Sequence, residues 1–232
     1  LSVINTNING YKTDGVIDEK IEHVAEIQED GSIIDTVTIT RRHNGGNSKY
    51  EWWNKVNANY MRVYVPLGVK LIGVKGQTKE FNDPPLDYES LGFNVDPDIR
   101  REEENMVIDK ETGTRIYEDA GKTVFANWVY VSPQESVTIQ YKYLLPFKMT
   151  LENENNKNLV DSYSLLIQKQ SGSLGSHLFS KIEFPDYYNL QWSYPEDLKK
   201  ENKLILFDGD LKTDKFIGAV FLSENDSLKI FR

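Results

Sequence analysis

Polar and apolar side chains alternate with period two along most of this chain, and no segment sustains a 3.6-residue apolar period over three turns. The clearest stretch covers positions 17–43. Ile21, His23, Ala25 and Ile27 fall on one face of a strand, and Ile33, Val37 and Ile39 on one face of the next. A two-residue loop between them would set odd positions opposite even ones and split the apolar face. A three-residue loop, Glu29 to Gly31, instead pairs Ile27 with Ile33, His23 with Val37 and Ile21 with Ile39. Gly31 then takes the left-handed position of a bulged turn.

The same alternation recurs downstream. Met61, Val63 and Val65 alternate with Tyr60, Arg62 and Tyr64, and Pro66-Leu67-Gly68 reads as the turn of a second hairpin into positions 70–74. Positions 123–131 form a nearly continuous apolar run. Ser132-Pro133-Gln134-Glu135 turns that run into Val137, Ile139, Tyr141 and Tyr143, which alternate with polar neighbours. One buried and one wetted face per strand is the pattern of an antiparallel β-sandwich. The expected fold class is all-β, with under about a tenth of the residues in helix.

Breaks in this pattern suggest an organisation. Positions 1–15 read as an N-terminal linker and 16–150 as a first sandwich. Within it, 77–113 holds eleven acidic and four basic residues, a net −7 of the chain's −9, together with Pro84, Pro85 and Pro97. Such a charge run is a solvated insertion, with one helical turn expected near 99–105. The polar stretch 151–158 reads as a linker. Beyond it, 159–232 carries further strands, the last at 228–231. Two sandwiches in tandem and one large sandwich both fit these strings.

Composition narrows the function classes. A hydrophobic fraction of 39%, with 4 Trp, 13 Tyr and 10 Phe, can fill a core. The balance of 27 basic against 36 acidic residues argues against nucleic acid and against an anionic membrane surface, both of which need clustered Lys and Arg. With no cysteine, disulfides, thiolate zinc sites and cysteine nucleophiles are excluded. No stretch approaches the ~20 apolar residues that span a bilayer. The opening residues start in mid-phrase, which suggests a piece of a longer chain.

Several phrases carry a resemblance. They are Asn9-Gly10-Tyr11-Lys12-Thr13-Asp14, the hairpin from Ala25 to Gly45, RVYVPLGVKLIGVKG from Arg62, GKTVFANW from Gly121 and YSLLIQKQSGS from Tyr163. In this order they resemble the C-terminal part of bacterial proteins in domain-of-unknown-function family 4012. That resemblance implies an exported region behind an N-terminal transmembrane helix that this chain does not include, and it implies no activity. Across roughly 16–147, the phrases VPLGVKL and TVFANWVYVSPQESVTIQYKYLLP are similar to the immunoglobulin-like repeats of bacterial surface stalks. Gln134 departs from that pattern, standing where such repeats carry a Gly.

His23 falls on the core face, where a satisfied core histidine is the plain reading. His43 ends a strand, and His177 follows a Gly-Ser phrase without the spacing of a serine-hydrolase elbow. Thirty-six acids make chance carboxylate pairs inevitable, so glycosidase chemistry gains nothing from their presence. Asp208, Asp210 and Asp214 could offer oxygens to calcium, but Asp208-Gly209-Asp210 is first a turn signal. Tyr50, Trp52, Trp53 and Tyr60 cluster around one connection and could stack on sugar rings, against the plainer reading of loop packing.

The expectation is thus a non-catalytic extracellular surface module (spacer, stalk or adhesion domain) of a membrane-anchored bacterial protein, with no cofactor. A module binding a glycan or envelope polymer is the alternative, and an envelope-acting hydrolase has least behind it. Expected partners are an envelope glycan or a surface protein, with no nucleic acid.

Overall fold

A computed structural model describes residues 1–79, 87–151 and 160–223. The expected 151–158 linker, apart from its first residue, and the expected strand at 228–231 lie outside the described residues. In chain order the first strands are β1 (Ser2–Asn7), β2 (Ile17–Ile27), β3 (Ser32–His43), β4 (Asn57–Pro66) and β5 (Lys70–Lys75). After the helix α1 (Pro97–Glu104) come β6 (Val107–Ile108), β7 (Arg115–Asp119), β8 (Lys122–Val131) and β9 (Ser136–Lys148). The remainder holds β10 (Val160–Ile167), β11 (Ser176–Glu183), β12 (Tyr188–Tyr194), β13 (Lys199–Glu201), β14 (Leu204–Leu211) and β15 (Lys215–Ser223). Strand accounts for 58% of residues and helix for 7%, so the all-β reading holds.

The β2–β3 hairpin has the expected register. Ile27 faces Ile33, His23 faces Val37 and Ile21 faces Ile39. Gly31 has φ +78°, its N–H donates to the Gln28 carbonyl, and a Cβ there would lie 1.9 Å from the Met149 carbonyl oxygen. Only glycine satisfies both the conformation and that approach. The helix falls in the insertion as expected. Asp96 caps it, its carboxylate accepting from the Asp98 and Ile99 N–H groups, and Pro97 sits in the first turn.

Two expected hairpins are corrected. β4 pairs with β1 and β8, whereas β5 pairs with β9 in a different sheet. Likewise β8 and β9 lie in different sheets. The reason is edge occupancy: β4 and β8 each have neighbours on both sides, so the chain leaving them must cross the core. Gly68 and Gln134, at φ +85° and +67°, make those crossings. Gln134 therefore adopts a left-handed conformation that ordinarily favours glycine.

The sheets form two layers. One is seven-stranded, in the order β13-β14-β11-β2-β3-β9-β5. The other comprises a five-stranded sheet, β1-β4-β8-β7-β6, and a three-stranded sheet, β10-β15-β12, which meet at a parallel bridge between Ser2 and Gln168. β2 and β11 pair in parallel, joining the two halves of the chain in one sheet. One main core runs from Ile21, Val63 and Phe125 to Leu178, Ile217 and Phe221, beside a small cluster of Tyr117, Val124 and Ala126. This is the arrangement of one large sandwich rather than two in tandem. Positions 1–15 are not a linker, because β1 is an integral strand against β4.

Candidate functional site

The loop between β3 and β4 is stapled from within. His43 is buried at the end of β3; its Nδ1 accepts from the Gly45 N–H at 3.0 Å, which leaves Nε2 to donate to the Lys55 carbonyl at 2.9 Å. Asn54 Oδ1 accepts from the Gly46 and Ser48 N–H groups at 2.7 and 3.0 Å, and its amide donates to the Ser48 carbonyl. A Cβ at Gly45 would lie 1.8 Å from the Trp53 carbonyl oxygen. On this frame a 3₁₀ turn, Glu51–Asn54, presents the aromatic rings. Tyr50 stacks on Trp52 at 4.9 Å and 27°, and meets Trp53 edge-on at 5.0 Å. Trp52 keeps 45% of its surface in water, while Trp53 is half-buried.

A second 3₁₀ turn, Thr13–Val16, closes the other side. Asn57, buried at the start of β4, ties this turn down by donating to Thr13 Oγ1 and Asp14 Oδ1, both at 2.9 Å. Lys12, Asp14 and Gly15 thereby line a 610 Å³ cleft with Tyr50, Trp52 and Trp53. Lys12 sits at φ +55°, a conformation that costs a non-glycine residue about 1 kcal/mol or more. Asp14 and Gly15 also line a neighbouring 420 Å³ cleft, floored by Arg41 and Glu19 and walled by the loop around Gly172.

Arg41 organises the floor. Its Nη1 donates to Asn57 Oδ1 at 2.8 Å, its Nη2 lies 3.4 Å from Asp14 Oδ1, and its Nε lies 3.5 Å from Glu19 Oε2. Burial lowers the guanidinium pKa, and Glu19 and Asp14 pull the other way. One cation is thus held between two carboxylates, and the clefts offer hydrogen-bonding groups of both signs beside exposed rings. That combination suits a polyol, whose C–H faces stack on aromatic rings while its hydroxyls donate and accept.

Of the residues singled out from the sequence, Tyr50, Trp52 and Trp53 come together and Tyr60 does not join them. Tyr60 points to the outer face of β4, packs on Trp128 at 5.2 Å and has Arg115 over its ring. Period two along β4 places it opposite in facing to the buried Met61. Asp208, Asp210 and Asp214 do not converge. Asp208 pairs with His177 at 2.9 Å and Asp210 with Lys212 at 2.8 Å, while Asp214 accepts from the Lys169 N–H. Among the described residues no cluster of three or more His, Asp or Glu could hold a metal.

Sequence reasoning missed Lys12, Asp14, Glu19 and Arg41 as site residues. Arg41 was within reach, since it shares the parity of Ile33, Val37 and Ile39 on β3. Also missed was a chain of polar groups in the core. His23 Nδ1 lies 3.0 Å from Ser180 Oγ, and His23 Nε2 lies 3.3 Å from Asp35 Oδ2. All three side chains are sealed from water, so no substrate reaches Ser180.

Comparison with known proteins adds little. No family model matches the chain, and no curated protein matches it. Among solved structures, an M1 zinc metallopeptidase from Deinococcus radiodurans is 10% identical over 89% of this chain, with a TM-score of 0.32. A putative nutrient binding protein from Legionella pneumophila is 12% identical over 89% of this chain and 67% of its own, with a TM-score of 0.39. The Fcho1 Mu homology domain from Danio rerio covers 79% of its own chain at a TM-score of 0.23. This chain spans 42% of the metallopeptidase's length. Likeness at this level carries no argument about activity.

Proposed function

We propose that this chain is a non-catalytic module of a bacterial surface protein, and that it holds an envelope glycan on the Tyr50–Trp52–Trp53 shelf. The observation behind this reading is the Trp52 ring, 45% exposed and stacked on Tyr50, on a loop tied from within by the His43 and Asn54 side chains. A rigid, half-wet aromatic pair is costly to leave bare and loses little entropy on binding. Lys12 and Asp14, at the edge of the rings, supply a donor and an acceptor for sugar hydroxyls. The exported setting and a membrane anchor outside this chain rest on the family resemblance alone. A hydrolase has less support, because the one Ser–His–Asp chain in the described residues is closed to solvent.

The test is a glycan and cell-wall-fragment array probed with the purified chain and with Trp52→Ala. The expected result is retention of at least one glycan class, weakened at least about tenfold, or about 1.4 kcal/mol, by the substitution. If no bound glycan class depends on Trp52, or no glycan is bound at all, the shelf is overturned as the site.

A further inference from the structure

The outer face of the β10-β15-β12 sheet carries a second aromatic surface, remote in sequence from the shelf. On β12, Trp192 and Tyr194 share one side of the strand and keep 51% and 47% of their surfaces in water. Their ring planes are 18° apart with centroids at 6.3 Å, and Phe216 on β15 continues the row 6.0 Å from Tyr194 at 45% exposure. Tyr194 is registered against Gly218, and Gly218 against Ser164; Trp192 is registered against Val220, and Val220 against Ser162. The face thus has rings along one edge, a glycine and valine floor, and exposed hydroxyls on the other strand.

Gly218 is what lets the rings lie over the sheet. A Cβ there would sit 3.0 Å from Phe216 Cε1 and 3.2 Å from Trp192 Cζ3, tighter than carbon atoms ordinarily pack. Its backbone is ordinary extended strand, so conformation does not demand glycine; the absence of a Cβ lets the two rings pack directly on it.

Charge decides the occupant. The outward positions 162, 164 and 166 of β10, 216, 218 and 220 of β15, and 192 and 194 of β12 include no Asp, Glu, Lys or Arg. This occurs in a chain that is 27% charged with a net −9, and on an edge strand, where charges normally guard against unwanted pairing. A charged ligand would be desolvated here without a counterion. A ligand that is neutral, flat and hydroxylated loses nothing on this face: its C–H faces cover the rings and its hydroxyls reach Ser162 and Ser164. We propose that the Trp192–Tyr194–Phe216 face is a binding platform for a neutral polysaccharide, separate from the shelf and independent of whether the shelf binds.

Affinity electrophoresis of the whole chain tests this. The gels would contain a soluble β-1,4-glucan, a β-1,3-glucan or a mannan, with alginate as the charged polymer. The expected result is retardation by at least one neutral polymer and none by alginate. Trp192→Ala should weaken that retardation at least about tenfold, and Trp52→Ala should leave it unchanged. Gly218→Ala keeps every ring but displaces the Phe216 and Trp192 rings from their packing over residue 218, and should weaken retardation while thermal unfolding stays cooperative; it reports on the face even if Trp192→Ala folds poorly. Absence of retardation in every neutral polymer overturns the proposal, as does retardation that survives both substitutions. So does a dimer in sedimentation that Trp192→Ala or Gly218→Ala dissociates, since the face would then be a contact between copies. Loss of shelf binding alone, seen with Trp52→Ala on the array, leaves this result intact and separates the two sites.

Discussion

His23 Nε2 lies 3.3 Å from Asp35 Oδ2 in the middle of the core, with Ser180 on the other ring nitrogen and Asp35 beside Tyr143, whose pKa it helps to raise. The four groups come from β2, β3, β9 and β11, so they cross the seven-stranded sheet through both halves of the chain. Removing one member strands a buried polar neighbour, which costs about 1–3 kcal/mol. Asp35→Ala and His23→Ala should each destabilise the fold on that scale in urea unfolding. The double variant should cost less than the sum, by about 0.5–3 kcal/mol, because the second substitution removes a group already stranded. Strict additivity would show that the pair is not energetically coupled.

Alkaline pH should unfold the protein through its core tyrosines. Burial raises the Tyr141, Tyr143 and Tyr163 pKa values above the ordinary 10.0, and Asp35 beside Tyr143 and Tyr163 adds to the effect. A folded pKa above the unfolded one means that the unfolded chain releases these protons first. Their stabilisation is therefore complete below about pH 10 and is lost as pH rises beyond it. Phenolate absorbance should accordingly show a late, cooperative step coincident with loss of the β circular-dichroism signal. If all 13 tyrosines titrate smoothly while that signal persists, the assignment of these three to a closed core is wrong.

Much of this was legible in the chain, and the limits follow from what alternation encodes. Period two fixes which side chains share a face, so the β2–β3 register, the left-handed Gly31 and the burial of His23 could all be read. It applies equally to polar members of the same parity, and Asp35, Arg41 and His43 on β3 follow Ile33, Val37 and Ile39 into the interior. Weighting the apolar positions alone hid them. Partner choice is a different matter. Lys70–Lys75 follows a Pro-Leu-Gly turn and looks like a hairpin strand, yet both edges of β4 are occupied. The parallel pairing of β2 with β11 joins residues such as Ile21 and Leu178 that no local signal connects. The aromatic shelf was legible as a composition of rings, but Lys12 and Asp14 reach it only through the buried bonds of Asn57 and Arg41.

Calcium should not raise the melting temperature. Asp208, Asp210 and Asp214 are each engaged elsewhere, with His177, Lys212 and the Lys169 N–H. The hydrogen bond from Lys212 is the main cause that lowers the Asp210 pKa. Assembling a site would require breaking those contacts and turning the three carboxylates toward one point. A specific site would stabilise the fold by mass action. A clear upward shift with millimolar calcium, abolished by Asp210→Ala, would restore the metal reading.

The core should be held by non-covalent packing, without a Lys–Asn amide cross-link. Such a bond needs a lysine Nζ placed against an asparagine side chain inside the core, with a carboxyl group to pass the proton. Asn127 on β8 is buried and central, and its Oδ1 accepts from the Tyr141 hydroxyl at 3.1 Å. Yet the buried polar and charged groups of the described residues include Asp35 and Arg41 and no lysine. An uncompensated lysine there would be expensive, which is reason enough for its absence. Intact mass should therefore equal the sequence mass; a deficit of one ammonia per chain would reveal a cross-link. Asn127→Ala provides an independent reading. If Asn127 serves as the acceptor for Tyr141, the substitution strands a buried hydroxyl and should cost about 1–3 kcal/mol in reversible unfolding. If Asn127 instead carried a covalent bond, the same substitution would restore the missing mass and change the chain's migration under denaturing conditions, and neither change is expected.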